Sequence, residues 1–444
     1  MKLLLKQILA VLPEVCPGSP QSPQALWGGL AVRRCDIGVE GQRISFVGTC
    51  PEDFAPDKTI DDANRLCIPG LVNAHTHAYM TLLRGRADDL LFQDWLFGHI
   101  LPMEDRLRPG DCYWGTMLAA CEMLRGGTTC YNDMYISVGE NARACVDSGL
   151  RAVLSRGLVG ESRDDPGGIA RLEDATAEIK EFQGAGEGRL NFRLAPHAPY
   201  TCAPDYLSLV IERARALGVG IHTHLGESRG EIAEIAEKYD RTPFELMEAA
   251  GLFELPTVAA HCVYMTEADM RIAARHGMSV ATNPVSNLKL ANGIAPVREM
   301  LEAGINIALG TDGAASNNSL NMLRELGYLC LLHKGKNENA VCIPAAQGVQ
   351  IATMGGAKAL GLEREIGSIE PDKLADLAIL NIDQSHWYPH SNLLAALCYG
   401  AQGNEAETVL VGGEILMENG ALTKIDEERV RYEAQKISDR VCGL

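Results

Sequence analysis

The chain has 444 residues, and its 40 Lys and Arg against 58 Asp and Glu give a net charge of −18. This length exceeds one ordinary domain and excludes a small module held together by disulfides or a structural metal. The excess of negative charge disfavours nucleic-acid polymers and anionic membrane surfaces as partners. It is compatible with a small neutral or cationic ligand.

Residues 1–12 are largely apolar, but Lys6 and Gln7 interrupt the run and no small-residue cleavage site follows. They predict a first β-strand rather than a signal peptide. No apolar stretch reaches the ~18 residues that a transmembrane helix needs. The 14 cysteines are scattered singly without a CxxC pair, which is typical of reduced, buried cysteines. These features predict a cytoplasmic protein and are compatible with a homo-oligomer.

Short strand-like segments separated by Gly, Pro and Asp turns occupy both ends of the chain. Near the amino terminus they include residues 30–32 and 43–47. After about residue 366 the same pattern of short strand-like segments recurs, at residues 375–380, 408–411 and 414–417. These β-rich ends predict a small composite β-sandwich domain formed by residues 1–67 and 367–444.

Apolar and amphipathic segments alternate through the middle of the chain. The amphipathic segments, which predict helices, lie at residues 116–125, 207–217, 229–238, 267–276 and 296–303. The apolar segments, which predict strands, include residues 220–224, 258–261, 279–282 and 306–310. This alternation predicts an α/β fold, a (β/α)8 TIM barrel over residues 68–366. A doubly wound open sheet is the alternative, but its GxGxxG fingerprint is missing from the first βα turn.

The strongest local signal is the sequence Pro-Gly-Leu-Val-Asn-Ala-His-Thr-His, which contains His75 and His77. Side chains at i and i+2 of a strand share a face, so both imidazoles can reach one metal ion. Such a pair is also compatible with two histidines held by ordinary hydrogen bonds. Three further donors, His224, His261 and Asp312, lie at the ends of predicted strands. Because these ends converge on the barrel mouth, we expect the residues to meet there.

Nitrogen and oxygen donors without a thiolate suit a catalytic divalent ion that keeps one position open for water. We predict one such ion, Zn²⁺ before Fe²⁺, Mn²⁺ or Co²⁺. Glu227 follows His224 by three residues, so its carboxylate lies near the metal without having to bind it. Hydrolytic deamination requires a proton carrier in such a position.

Five segments are similar to motifs of the amidohydrolase superfamily, in the same order and with similar spacing. They are PGLVNAHTH (69–77), HLGE (224–227), AHC (260–262), NPVSNLKL (283–290) and GTDGAASNN (310–318). Within the superfamily they most resemble the 5-methylthioadenosine/S-adenosylhomocysteine deaminases and their 5′-deoxyadenosine-deaminating relatives. The match spans essentially the whole chain.

The resemblance implies one metal ion held by four residues, His75, His77, His224 and Asp312. It implies that Asp312 also takes the proton of the attacking water and that Glu227 donates a proton to N1 of an adenine ring. His261 would stabilise the developing oxyanion while C6 is attacked and ammonia leaves. A second metal held by a carboxylated lysine is not expected, because residues 191–197 contain no lysine.

Three more residues match positions that face the substrate in the family, and Glu227 and Asp312 would contact it through their proton transfers. Glu104 would accept hydrogen bonds from the ribose hydroxyls, with a solvated surface acid as the alternative. His197 would contact the purine. Arg156 would face the 5′ substituent, with a salt bridge inside an acidic protein as the alternative. No second arginine matches the family position that recognises the carboxylate of S-adenosylhomocysteine.

Two residues beside the candidate ligands are expected to have structural roles. His222 lies one pleat deeper than His224 on the same strand, and Cys262 is expected to be a small buried residue rather than a nucleophile.

The resulting hypothesis is metal-dependent deamination of a 5′-modified adenosine, such as 5′-methylthioadenosine, S-adenosylhomocysteine, 5′-deoxyadenosine or adenosine. An aminohydrolase of a free purine, pterin or triazine is the alternative, because this superfamily changes substrate through its loops. A non-catalytic scaffold is disfavoured, because competent residues occupy every ligand and proton-handling position.

Overall fold

The computed structural model describes residues 1–14 and 29–443, which form two β-sheets surrounded by helices. The strands are β1 (Lys2–Pro13), β2 (Leu30–Glu40), β3 (Arg43–Gly48), β4 (Lys58–Asp61), β5 (Arg65–Pro69), β6 (Leu71–Thr76), β7 (Thr128–Tyr135), β8 (Arg151–Leu158), β9 (Leu190–Pro196), β10 (Gly220–Leu225), β11 (Thr257–His261), β12 (Ser279–Thr282), β13 (Asn306–Leu309), β14 (Leu377–Asn381), β15 (Ala406–Val411), β16 (Glu414–Glu418) and β17 (Ala421–Leu422). The helices and short helical turns are α1 (Leu101–Glu104), α2 (Asp111–Arg125), α3 (Val138–Ser148), α4 (Pro166–Phe182), α5 (Ala185–Gly188), α6 (Pro204–Leu217), α7 (Arg229–Tyr239), α8 (Pro243–Ala249), α9 (Glu267–His276), α10 (Pro284–Lys289), α11 (Val297–Glu302), α12 (Ala314–Asn317), α13 (Met322–Lys336), α14 (Ala345–Gln350), α15 (Gly356–Leu360), α16 (Leu393–Tyr399) and α17 (Glu427–Cys442).

Strands β6 to β13 form a parallel sheet in which each strand pairs with the next along the chain. Strands β6, β11, β12 and β13 are buried at every residue, because one face packs inside the barrel and the other packs against helices. The predicted (β/α)8 barrel is confirmed. The four strands predicted in its second half match β10 to β13 to within one residue at each end.

The helices follow from their apolar spacing and their end residues. In α6, Leu207, Val210, Ile211 and Ala214 recur at helical intervals and are buried against the barrel. Pro occupies the first turn, where its missing N–H costs nothing, and Gly218 ends the helix with a φ of 67°.

The barrel closes where β13 meets β6. The Asn73 side chain donates to Oγ1 of Thr311 at 2.7 Å and accepts from the Thr311 N–H at 3.0 Å. The Asp312 N–H donates to the carbonyl of His75 at 3.0 Å. These bonds place Asp312 beside His75, although the two residues come from the last and first strands of the barrel.

The terminal segments form a nine-stranded mixed sheet with β14 and β5 in its middle, which confirms a separate β domain built from both ends of the chain. Ile44 of β3 exchanges backbone hydrogen bonds with Asp372 and Lys373 at 2.9 and 2.8 Å, just before β14 begins. These bonds connect the edge strand β3 to the segment just before β14, a strand in the middle of the sheet. The expected sandwich is therefore one continuous sheet that folds over itself.

The C-terminal helix α17 packs against the barrel helix α2 rather than on the terminal sheet. Its residues Ala434, Ile437 and Val441 are buried in one cluster with Tyr79. The sequence-based division at residues 67 and 367, which groups this helix with the β domain, stays a prediction. The spacing of these apolar residues is helical and distinguishes the segment from the preceding strands.

None of the helices among the described residues has the length and apolar character needed to cross a bilayer. The thirteen cysteines that the structure describes are all free, and Cys16 lies outside the described residues.

A buried ion pair joins the base of the barrel to the terminal sheet. Arg151, the first residue of β8, donates from Nε and Nη2 to the two carboxylate oxygens of Asp376 at 2.8 and 3.0 Å. The N–H of Gly412 donates to the same carboxylate at 2.7 Å. Removing one partner would leave the other charge buried without a counterion.

We expect Asp376→Ala to lower the free energy of unfolding by about 3 kcal/mol or more. The matched control is Glu302→Ala, which breaks the exposed pair between Arg298 and Glu302, 2.8 Å apart, and should cost less than about 1 kcal/mol. Urea unfolding followed by circular dichroism measures both losses. Equal losses would show that the buried pair contributes no more than a surface pair.

Candidate metal centre and active site

The predicted ligand residues lie together at the C-terminal ends of the barrel strands. Nε2 of His77 lies 3.2 Å from Oδ1 of Asp312, and Nε2 of His75 lies 3.4 Å from the same oxygen. Nε2 of His224 lies 3.3 Å from Nε2 of His77. Side-chain nitrogens and a carboxylate oxygen from three separate strand ends therefore converge on one buried point, and His261 also lies within reach of it.

Hydrogen bonds at Nδ1 orient two candidate ligand histidines. Nδ1 of His77 donates to the carbonyl of Met134 at 2.7 Å, and Nδ1 of His224 donates to the carbonyl of His197 at 2.9 Å. Because a carbonyl only accepts, each Nδ1 carries a proton, and the neutral form of each ring has its lone pair at Nε2. Nitrogen lone pairs oriented in this way are what a metal ion requires.

His75 is oriented by a chain of buried polar groups. The Ser155 hydroxyl donates to the carbonyl of Asp133 at 2.6 Å, so it accepts from Nδ1 of His222, 3.3 Å away. Nε2 of His222 then accepts from Nδ1 of His75 at 2.9 Å. Nε2 of His75 is buried and has no hydrogen-bond partner among the described residues. This orphaned lone pair fits a metal ligand, whereas a histidine held only by ordinary hydrogen bonds would be satisfied.

Charge also favours a cation at this point. Burial lowers the pKa of His75 to about 3 and that of His224 well below its ordinary value, so both rings are neutral at pH 7. Burial alone would raise the pKa of Asp312, but the neighbouring imidazoles of His75 and His77 hold it well below its usual range. The hydroxyls of Ser286 and Ser316 donate to Oδ2 of Asp312 at 2.6 and 2.8 Å. Burial alone would lower the pKa of His77, but the Asp312 carboxylate raises it to about 9, so the carboxylate favours a positive charge at this point. A divalent ion would take the place of that proton, since metal binding to histidine releases protons.

Three residues at the same strand ends have a strained backbone. His261 has a φ of 71°, Cys262 of 47° and Asp312 of 60°, in the left-handed region that residues other than glycine rarely adopt. Such strain is typical of residues whose positions are set by function. Cys262 itself is buried, as expected, and burial raises the pKa of its thiol well above the ordinary value.

Glu227 and His261 face each other beside the cluster, with Oε2 of Glu227 3.8 Å from Nε2 of His261. Nδ1 of His261 donates to Oδ1 of Asn287 at 2.8 Å, and Oε1 of Glu227 accepts from Nδ2 of Asn292 at 2.9 Å. Burial raises the pKa of Glu227, which favours the protonated form that a general acid needs.

Two of the three candidate substrate residues lie next to the cluster. Oε1 of Glu104 is buried and has no hydrogen-bond partner among the described residues, and burial raises the pKa of this carboxyl to about 8. The ring of His197 packs edge-on against His224, with centroids 4.8 Å apart, and its Nδ1 lies 3.1 Å from Oγ1 of Thr201. Both residues therefore have polar groups available beside the candidate metal site.

Arg156 has no contact with the cluster among the described residues. Its guanidinium donates to the carbonyl of Ile136 and to Asp174 at 3.1 Å, and it lies 3.5 Å from Glu178. Ser155, the preceding residue, points to His222 inside the barrel, so the pleat turns Arg156 towards helix α4. The geometry matches the salt bridge that the sequence left as the alternative, and a substrate contact of Arg156 stays a prediction.

The sequence did not assign roles to Asn287, Asn292 or Ser286, although all three contact the proton-handling groups or the aspartate. They lie in one segment, NPVSNLKLAN (283–292), directly after β12. Several short polar side chains immediately after a buried barrel strand were the signal that could have identified them.

The sequence of the chain is similar to those of known proteins over most of its length. Residues 66–416 match the model of the amidohydrolase family. The chain is 46% identical over 403 residues to the 5-methylthioadenosine/S-adenosylhomocysteine deaminase of Moorella thermoacetica, covering 90% of this chain and 94% of that protein. It is 43% identical over 401 residues to the protein of the same name from Caldanaerobacter subterraneus, covering 90% and 92%.

Solved structures share the architecture. The crystal structure of an adenosine deaminase from Xanthomonas campestris with bound zinc has a TM-score of 0.90 at 32% identity, covering 100% of this chain and 99% of that chain. The zinc complex of an atrazine chlorohydrolase from Arthrobacter aurescens has a TM-score of 0.88 at 23% identity and covers 98% and 100%, which shows a common fold. With a family model that matches most of its length and relatives at this level of identity, the chain belongs to the amidohydrolase family.

Proposed function

We propose that the protein is a metal-dependent deaminase that converts a 5′-modified adenosine and water to the inosine analogue and ammonia. The observation that carries this proposal is a buried cluster of imidazole nitrogens and one carboxylate beside the facing pair Glu227 and His261. The relatives named 5-methylthioadenosine/S-adenosylhomocysteine deaminase, at 43% and 46% identity, support the substrate class.

One divalent ion would be held by four residues, His75, His77, His224 and Asp312. We assign Zn²⁺, since these ligand types suit it and zinc is bound in the Xanthomonas adenosine deaminase. Iron, manganese and cobalt accept the same donors. A bound dication lowers the pKa of water towards 7 and so supplies hydroxide at neutral pH.

The side chains around this point divide the proton transfers between them. Asp312 takes a proton from the attacking water, while its other oxygen stays fixed by two serine hydroxyls. Glu227 gives its proton to N1 of the adenine ring, which makes C6 a better electrophile. His261 stabilises the charge that develops on the attacking oxygen. A C–O bond forms at C6, and the proton taken by Asp312 passes to the amino group. The C–N bond then breaks, ammonia leaves, and the remaining hydroxyl proton returns to Glu227 as the C6 carbonyl forms.

Glu104 and His197 would recognise the nucleoside. Glu104, which has an unpartnered carboxyl oxygen, would accept hydrogen bonds from ribose hydroxyls, and His197, which packs against His224, would contact the purine. A free base offers nothing for Glu104 to bind, so this residue separates the proposal from the free-base alternative.

We expect ammonia release from 5′-methylthioadenosine, 5′-deoxyadenosine, S-adenosylhomocysteine or adenosine, and little or none from guanine, an oxidised guanine, a pterin or a triazine. Coupled glutamate dehydrogenase assays on the zinc-loaded protein measure this panel. Glu104→Gln should raise KM for a nucleoside more than it lowers kcat, because it weakens ribose binding. Turnover confined to the free bases would overturn the nucleoside proposal.

Glu227→Gln should lower kcat by about 10²–10⁴-fold, because it keeps the shape of the side chain and removes its transferable proton. Zinc content, measured by inductively coupled plasma mass spectrometry, should stay equal to that of the wild type. As a contrast, His75→Ala should lose both zinc and activity. A Glu227→Gln enzyme with nearly normal kcat would remove Glu227 from the role of acid.

His222→Leu should weaken zinc binding by about 10–100-fold, because it removes the acceptor that orients His75. His222→Gln, which can still accept through its amide oxygen, should lose less. Competition with a chromophoric zinc chelator gives both dissociation constants. Equal zinc affinity in the wild type and His222→Leu would show that the hydrogen bond does not orient the ligand.

A further inference from the structure

Helix α10 and the residues that follow it contact both proton-handling groups. Asn287 accepts from Nδ1 of His261, and Asn292 donates to Oε1 of Glu227. The two asparagines are tied together, because the N–H of Asn292 donates to the carbonyl of Asn287 at 2.9 Å. Both are almost fully buried, at 2% and 5% exposure, so water does not compete for their amides.

The main chain at Glu227 is fixed independently of this segment. The N–H groups of Gly226 and Glu227 each donate to one carboxylate oxygen of the buried Glu231, both at 2.8 Å. Gly226 has a φ of 61°, and a Cβ there would lie 3.0 Å from the ring of Phe244 and from the carbonyl of Tyr264. With the main chain fixed, the Glu227 carboxyl can move only by rotation of its side chain. The hydrogen bond from Asn292 to Oε1 opposes that rotation.

The same hydrogen bond decides which oxygen of Glu227 carries the proton. An amide N–H directed at Oε1 requires a lone pair there, because a proton on that side would face the hydrogens of Asn292. The acidic proton is then on Oε2, the oxygen that faces His261 across 3.8 Å. Because His261 lies in one buried group with His75 and His224, Oε2 faces the cluster beside which the adenine ring would be protonated.

We propose that Asn292 is a positioning residue for the deamination, which holds Glu227 in one rotamer and keeps its transferable proton on Oε2. This inference rests on the proposed function, because it assumes that Glu227 donates a proton to the substrate ring. Asn292 acts through Glu227 and needs no contact with the substrate.

The first experiment compares Asn292→Ala with the wild type. We expect kcat to fall at least about tenfold while KM changes by less than about threefold, because an acid with a misplaced proton slows the chemical step and leaves binding intact. Zinc content should be unchanged. Asn292→Asp, which has the same shape but lacks the amide donor, should show the same loss of kcat and covers the case in which the alanine variant folds poorly.

The matched control is Asn306→Ala. Asn306 is also a buried barrel asparagine, and its amide donates to Ser279 and to the carbonyl of Gly355, each at 3.0 Å, at the opposite end of the strands. This variant should lose thermal stability but keep kcat. If Asn306→Ala loses as much kcat as Asn292→Ala, the effect is a general one on the fold and the proposal is wrong.

A double-mutant cycle tests whether Asn292 acts through Glu227. In the Glu227→Gln background there is no acidic proton to place, so adding Asn292→Ala should lower kcat by less than about twofold. Losses that multiply in the double variant would show that Asn292 acts independently of Glu227 and would overturn the proposal.

The two proposals fail in different ways. A wild-type enzyme that turns over no adenosine of the panel contradicts the proposed function, and the cycle is then run on whichever cyclic amidine it deaminates. A wild type that deaminates a nucleoside while Asn292→Ala and Asn292→Asp keep its kcat contradicts only the role of Asn292. An enzyme without any deaminase activity overturns both.

Discussion

Burying several imidazoles side by side is the physical constraint on which the site depends. The ring of His75 lies 4.9 Å from that of His77 and 5.0 Å from that of His224, centroid to centroid. Protonated together, such rings would repel one another strongly in a space without water. Burial lowers the pKa of His75 and of His224, so these two rings stay neutral. Hydrogen bonds from Nδ1 to carbonyl oxygens and to His222 turn the Nε2 atoms towards the cluster and Asp312. The barrel supplies the rigid frame in which those bonds keep their directions.

One segment after β12 links the groups that move protons to the groups that would hold the metal. Asn287 of α10 and Asn292, which follows that helix, orient His261 and Glu227 through their amides. Ser286 of the same helix donates to Asp312. The candidate histidine ligands lie instead at the ends of strands, which keep them in position within narrow limits. A change in the segment after β12 would therefore act on proton transfer and on the metal cluster together.

The fold and the metal cluster were accessible from the sequence because both depend on local patterns. Strands such as β12 are short apolar runs, and His224, His261 and Asp312 stand where such runs end. The pairing of His222 with His75 was not accessible, since a two-residue period gives the face of a strand but not which ring nitrogens meet. Arg156 shows the limit of motif similarity, because the motif does not show that its guanidinium reaches the acids of α4. The helical spacing of apolar residues in α17 was present in the sequence, but the strand-like segments before it led the whole region to be interpreted as β-rich.

The candidate ligands His75 and Asp312 come from the first and the last strands of the barrel, joined by the bonds of Asn73 with Thr311. A growing polypeptide that leaves the ribosome presents the two histidines of β6 long before the aspartate exists. During synthesis those histidines can hold a metal ion only as a loose, incomplete site, and tight capture must wait until β13 closes the ring. Loading with metal therefore reports that the whole barrel has been assembled, and no early folding intermediate can acquire the complete ligand set.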